Sequence, residues 1–121
     1  MVAGPAALLV GKLIKLNERT AEYEAGGRDR RRNKDALDVL RILRAVDQAV
    51  LAERLRMLAA EDVSCEVTRE AVEALGYLFG TGDASASQMA ADAAFPEPRE
   101  TIAASCAALT AELMAGLGDL H

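Results

Sequence analysis

The hydrophobic residues of this chain recur every three or four positions, which is the period of an amphipathic α-helix. Over residues 5–19, for example, one apolar stripe contains Leu9, Leu13 and Leu16. No segment alternates apolar and polar residues in the manner of a half-buried strand. The pattern predicts an all-α bundle of about six helices.

Glycine, proline and capping residues predict where these helices begin and end. The first helix should end by Gly26-Gly27, because glycine is common just after a helix C-terminus. A helix break is also expected at Glu61-Asp62, because acidic residues are unfavourable at a helix C-terminus. Pro96 should separate a short helix over 84–93 from a last helix over 99–117. The candidate N-caps of the second, third and fourth helices are Asn33, Asp47 and Thr68.

The composition is that of one globular domain, residues 1–121, with 51% hydrophobic residues. Most of these are Ala, Leu and Val, which suits helix-on-helix packing. Lys12 and Lys15 interrupt the longest apolar stretch, so a transmembrane helix and a membrane partner are not expected. The N-terminus lacks a signal-peptide pattern, and the expected location is cytoplasmic.

The two cysteines and the single histidine limit the chemistry that the chain offers. Cys65 and Cys106 lie far apart in predicted helices. A disulfide between them stays open, but buried free thiols in a reducing cytoplasm are the favoured interpretation. His121 is the only histidine, so a zinc site lacks ligands and a serine or cysteine nucleophile lacks a base. We expect no metal site in this chain.

Charge is unevenly distributed along the sequence. Residues 1–44 contain ten Lys/Arg and six Asp/Glu, a net charge of +4, whereas residues 45–121 contain four and thirteen, a net charge of −9. A basic segment in an acidic protein favours a local anion site and argues against general coating of nucleic acid. The candidate chemistry is therefore expected in residues 1–45, with residues 46–121 as helical scaffold.

Opposite charges are predicted to face each other between the first two helices. Lys12, Lys15 and Arg19 lie along one ridge of the first helix. Asp35 and Asp38 share a face of the second helix. One interpretation is a solvated ion-pair seam that adds little stability. The other is a phosphate- or metal-binding edge, with lysine as a point charge and aspartate positioned for a cation or a proton.

The basic stretch over residues 28–34 joins these two helices and contains four arginines and Lys34. A charge run between helices is ordinarily a solvated loop. Its position beside Lys12 and Asp35 also favours an anion site, to which Arg31 and Lys34 would contribute.

Two blocks of sequence carry a resemblance to a known family. The blocks are Gly4-Pro5-Ala6-Ala7-Leu8-Leu9-Val10-Gly11-Lys12-Leu13-Ile14-Lys15-Leu16 and, after the basic stretch, Lys34-Asp35-Ala36-Leu37-Asp38-Val39. Together they resemble the helical C-terminal region of the AbiEii/AbiGii-type toxin nucleotidyltransferases. These proteins belong to type IV toxin–antitoxin and abortive-infection systems and have a polymerase-β-like catalytic core. The resemblance covers about the first 45 residues and is weaker downstream.

The resemblance implies roles for particular residues. Lys12 would contact nucleotide phosphates and Asp35 would help to complete the active site, so that both count as catalytic. Their side-chain ends should then lie close together at one exposed edge. The substrate-binding residues that the resemblance implies are Lys15, Arg19, Arg31, Lys34 and Asp38.

The catalytic module of that family has no counterpart in this sequence. In the family it carries Gly-Ser followed by paired carboxylates that hold two divalent cations. This chain contains no Gly-Ser and no Asp-x-Asp, and its one Glu-x-Glu, Glu22-Tyr23-Glu24, falls late in a helix. We therefore expect a fragment, or a chain completed by another polypeptide, that is inactive alone. Mg²⁺ with a nucleoside triphosphate would bind only when the missing module is present.

The alternative is a non-catalytic helical interaction module in which the charged ridge is structural. An apolar patch left uncovered would then pair with a second copy, as a homo-oligomer, or with another chain. Candidates for that patch are Leu8, Val10 and Ile14.

Overall fold

A computed structural model describes residues 4–24 and 31–118, apart from the side chains of residues 22–24, 31 and 32. Within these residues the chain forms six α-helices and no strand, which confirms the predicted all-α bundle. The helices are α1 (Pro5–Glu24), α2 (Arg31–Ala45), α3 (Gln48–Ala60), α4 (Cys65–Phe79), α5 (Ser85–Ala93) and α6 (Arg99–Leu117). None of the six is long and apolar enough to span a bilayer. The predicted stop at Gly26-Gly27 lies outside the described residues, as does the basic stretch up to Arg30.

Several predicted boundaries are confirmed. Asp47 caps α3, since its carboxylate accepts hydrogen bonds from the backbone N–H groups of Ala49 at 2.9 Å and Val50 at 3.2 Å. This helix ends before Glu61, where the acidic break was expected. The last helix has the predicted bounds, because a proline precedes it and a glycine follows it.

Two predicted N-caps are wrong. The second helix begins at Arg31, so Asn33 is its third residue and does not cap it. Arginine has a high helix propensity, which lets the basic stretch extend the helix at its start. The fourth helix begins at Cys65, and Thr68 lies inside it, fully buried. Both helices are therefore longer at their N-termini than capping residues alone predict.

The six helices enclose one hydrophobic core. α1 packs against α2 and α4, α5 packs against α2, and α6 packs against α3 and α5. Alanines such as Ala36, Ala71 and Ala90 are fully buried and let the helix backbones approach closely. The largest fully buried side chains are Leu9, Leu13, Leu16, Leu40, Leu43, Leu51, Leu55, Leu75, Leu78, Phe79, Ile102 and Leu113. Because α1 and α5 both pack against α2, part of the charged face of α2 is drawn into the protein.

The apolar patch predicted on α1 is only partly exposed. Leu8 has 49% of its surface exposed, whereas Ile14 is half-buried and Val10 is buried in the core. Other apolar side chains are more exposed than Leu8, among them Met57 at 60% on α3 and Tyr77 at 68% on α4. Uncovered apolar surface therefore also occurs on α3, which the sequence pattern did not single out.

Candidate functional site

Charged side chains of α1 and α2 meet along one side of the helical hairpin. The two helices run antiparallel, since Lys12 lies beside Asp38 and Arg19, further along α1, lies beside Asp35. The leucine stripe of α1 faces the core, which leaves the basic ridge beside the acidic face of α2. The predicted meeting of Lys12 and Arg19 with the two aspartates is confirmed.

Asp35 is the buried centre of this cluster, with 6% of its surface exposed. Lys12 Nζ lies 3.8 Å from its Oδ1, and the guanidinium of Arg19 donates a hydrogen bond to its Oδ2. Each carboxylate oxygen therefore faces a cation, which is what makes burial of the charge tolerable. Lys12 and Asp35 lie close together, as expected, but the expectation of an exposed edge holds only for the lysine.

Asp38 forms the outer half of the cluster. Its Oδ2 accepts a hydrogen bond from Lys12 Nζ at 3.2 Å, and Arg41 lies 3.6 Å from its Oδ1. The Asp38 side chain is 21% exposed and that of Arg41 is 66% exposed. Sequence reasoning missed Arg41, although its position three residues after Asp38 on the same helix was a usable signal.

Two of the predicted substrate-binding residues stay outside this cluster, and a third has no described side chain. Lys15 and Lys34 are exposed, and neither forms an ion pair with any residue in the described part of the chain. Arg31 begins α2, but its side chain is not among those described. The structure therefore gathers Lys12, Arg19 and the two aspartates, and leaves the roles of the other three as predictions.

The cluster has the electrostatics of an anion site. Lys12, Arg19 and Arg41 bring three positive charges to the two carboxylates, which leaves a surplus of one. Both carboxylates contact cations. No group of three metal-ligating side chains occurs among the described residues. The excess of cations over carboxylates is a charge balance that suits a phosphate ligand, and binding of phosphate or metal at this edge stays a prediction.

The two cysteines lie on α4 and α6, and both are free thiols, as the sequence favoured. Burial raises the pKa of the Cys106 thiol to about 11, and a hydrogen bond with Ser87 offsets only part of that rise. Cys65 differs from the prediction because it is only half-buried, with its thiol 3.7 Å from the carbonyl oxygen of Asp62. Neither thiol belongs to the charged cluster.

We expect the burial of Cys106 to weaken the fold in alkaline solution. The pKa of this thiol rises from 9.0 to about 11 on folding, so its stabilisation is present below pH 9 and is lost as the pH approaches 11. A difference of that size corresponds to about 2–3 kcal/mol. Urea denaturation at both pH values should show the wild-type chain losing that much more free energy of unfolding than Cys106→Ala. Equal losses in the two proteins would contradict the assignment.

The likeness to AbiEii/AbiGii-type proteins rests on the residues of α1 and α2 described above and stays a prediction. Compared with known proteins, the chain matches no protein-family model, no curated protein and no solved structure.

Proposed function

We propose that this chain is a helical, non-catalytic domain whose α1–α2 edge contacts phosphate groups, at a site that another polypeptide segment completes. The observation that carries the proposal is the excess of three cations over two carboxylates in this cluster, in which Lys12 is partly exposed and lies beside a buried carboxylate. This role agrees with what the AbiEii-type resemblance implies for Lys12. Nucleotide transfer is not expected from the chain alone.

Lys12 is the cation best placed to reach a phosphate oxygen from the solvent side. Its side chain is 30% exposed, compared with 13% for Arg19. An ammonium group has three N–H donors. Lys12 Nζ donates one of these hydrogen bonds to Asp38 Oδ2 at 3.2 Å. Asp35 Oδ1 lies 3.8 Å from the same nitrogen, which is beyond hydrogen-bond distance. Lys12 therefore keeps a donor for a ligand while its position is fixed by two carboxylates.

Asp35 acts in this proposal by positioning cations. Both of its oxygens face cations, Lys12 on one side and Arg19 on the other, so it holds the ammonium at the edge of the hairpin. This differs from a catalytic role in which the carboxylate binds Mg²⁺ or accepts a proton. Mg²⁺ would arrive with the nucleotide and be held by the carboxylates of the completing segment.

Exposed lysines on both sides of the cluster add to its attraction for anions. Lys15 lies one turn from Lys12 on α1, and Lys34 precedes Asp35 on α2. With these two residues and the exposed Glu18, which lies one turn after Lys15, the surplus positive charge rises from one to two. Such a local field raises the concentration of phosphate groups at the edge although the whole chain has a net charge of −5.

The proposal predicts that the chain binds inorganic tripolyphosphate at low ionic strength, measured by isothermal titration calorimetry. Replacement of Lys12 by glutamine should lower the affinity about tenfold, because a charge-assisted hydrogen bond to phosphate is lost. Added salt should weaken binding to the wild-type chain, as expected for a largely exposed edge.

A matched control comes from α4, where Arg69 is exposed and lies outside the cluster. Arg69→Gln removes the same charge as Lys12→Gln and should change the affinity less than about twofold. Circular dichroism would verify that each variant is folded. The proposal is overturned if the wild-type chain binds no tripolyphosphate, or if the two variants weaken binding equally.

A further inference from the structure

The outward face of α3 is an apolar surface that the described residues leave uncovered. Met57 and Val50 lie two turns apart on this face, with Glu53 and Arg54 between them. The four side chains line a shallow cavity of about 310 Å³. The opposite face of the helix is buried in the core through Leu51 and Leu55 and the alanines beside them.

A second cavity adjoins the first and widens this surface. It has a volume of about 350 Å³ and lies between the start of α1 and the second half of α3. Arg54 and Met57 line both cavities. The other residues that line the second cavity are Gly4, Ala6, Ala7, Leu58 and Glu61. The two cavities form one continuous surface, with the Met57 side chain standing between them.

The charges on this surface have no partners among the described residues. Glu53 and Arg54 are exposed, and neither forms an ion pair with another residue in the described ranges. Elsewhere the protein does pair exposed charges, for example Arg99 with Asp92. Two uncovered apolar side chains thus flank one unpaired negative and one unpaired positive charge. A second copy of the same surface can match all four side chains.

The pattern of α3 is self-complementary under an antiparallel two-fold arrangement. If the axis passes between residues 53 and 54, Val50 lies opposite Met57 of the second copy and Glu53 lies opposite Arg54 of the second copy. By symmetry each of these contacts occurs twice. Both apolar residues and both charges are therefore matched by a single register.

We propose that a second copy of this chain covers the α3 face, in an antiparallel two-fold dimer with that register. Charge complementarity favours a second copy as the partner. A partner helix with charges of only one sign would leave Glu53 or Arg54 facing a like charge, whereas a second copy places an opposite charge against each of them. One helix pair and the adjoining cavity form an interface at the small end of the specific range, below about 1,200 Å² in total. The dimer should therefore dissociate on dilution. This inference is independent of the phosphate proposal, since it uses none of the residues of the α1–α2 cluster.

Sedimentation equilibrium of the full chain, from low-micromolar to millimolar concentration, tests the proposal. The mass should rise from 12.8 kDa towards twice that value. Met57→Glu should give a monomer throughout, because it places a carboxylate against Val50 of the second copy at both apolar contacts. Glu53→Arg and Arg54→Glu should each weaken the dimer at least about tenfold, since each sets like charges against each other twice.

The decisive variant exchanges both charges. In Glu53→Arg/Arg54→Glu each new arginine again faces a glutamate of the second copy, so dimer formation should return to within about threefold of the wild type. A wild-type chain that stays monomeric overturns the proposal. A dimer that Met57→Glu leaves intact, or single-charge variants that the double exchange does not rescue, also overturns it. Circular dichroism of the four variants would separate loss of association from loss of folding, and all three replaced positions are exposed.

Discussion

Asp35→Ala should lower the free energy of unfolding by about 3 kcal/mol or more, the cost expected when one member of a buried ion cluster is removed. The Asp35 side chain is 8% exposed and contacts both Lys12 and Arg19. Its loss removes a buried acceptor from the Arg19 guanidinium, whose side chain is only 13% exposed. Urea denaturation followed by circular dichroism measures the change.

Asp38→Ala is the matched control for this prediction. It removes the same group from the same helix and the same cluster, but the Asp38 side chain is 21% exposed and its second partner, Arg41, is largely in solvent. We expect it to cost less than about 1 kcal/mol. Equal costs for the two variants would show that burial of Asp35 does not set the strength of the cluster. Asp35→Asn, which keeps the size and an acceptor oxygen, should fall between them.

Phe79→Ala should cost about 3–5 kcal/mol, because it leaves a large cavity in the core. Phe79 is fully buried at the end of α4, and it is the only aromatic side chain in the core formed by the described residues. The rest of that core is mainly leucine and alanine, and alanine side chains cannot extend to fill the space that a phenyl ring vacates. Thermal or urea unfolding would measure the loss.

Tyr77→Ala supplies the control from the same helix. Tyr77 stands two residues before Phe79, and 68% of its surface is exposed. Its replacement removes an aromatic ring of nearly the same size and should cost less than about 0.5 kcal/mol. If the two variants unfolded with similar free energies, the core would not be packed around Phe79 as described.

Much of the fold follows from the periodicity of the apolar residues and from the proline, glycine and capping residues that mark helix ends. The last helix was predicted from residue 99 to residue 117, and it is found there because proline and glycine mark its two ends unambiguously. Asp47 was predicted to cap α3 and does so through its carboxylate. Local chemistry decides such boundaries, and a single sequence contains that chemistry.

The start of α4 depended on contacts that local chemistry does not show. Ser64 occupies the N-cap position without a side-chain capping bond, and its hydroxyl donates instead to the carbonyl of Leu58 at 2.6 Å. This bond ties the end of α3 to the turn that follows, and α4 begins at Cys65. Thr68, the predicted cap, is then one turn inside the helix and fully buried. Tertiary packing outweighed capping preference at this position.

Helical spacing predicted which charges would face each other, but it did not predict how deeply they would lie. Lys12 and Lys15 were equivalent in the sequence pattern, yet only Lys12 contacts the aspartates. Asp35 and Asp38 were likewise equivalent, and only Asp35 is buried. The differences arise because α2 is packed against both α1 and α5, an arrangement that the first 45 residues do not reveal.

The α1–α2 edge and the α3 face are separate surfaces, for which we propose separate functions. The α1–α2 edge carries the surplus positive charge and would contact phosphate, whereas the α3 face carries unpaired charges of both signs and would contact a second copy. A dimer formed through α3 would leave Lys12 outside the apolar contact. Each surface can therefore be altered without changing the residues of the other.

The most direct test of the central claim is a nuclear magnetic resonance titration of the ¹⁵N-labelled chain with inorganic tripolyphosphate. We expect saturable shifts of backbone amide signals around Lys12, Lys15 and Asp35, with little change in α4 and α6. Lys12→Gln should move the midpoint of those shifts to an about tenfold higher tripolyphosphate concentration, whereas Arg69→Gln should leave it within about twofold. Shifts that are absent, or that spread over α4 and α6 as strongly as over α1 and α2, would contradict a phosphate-binding edge on this hairpin.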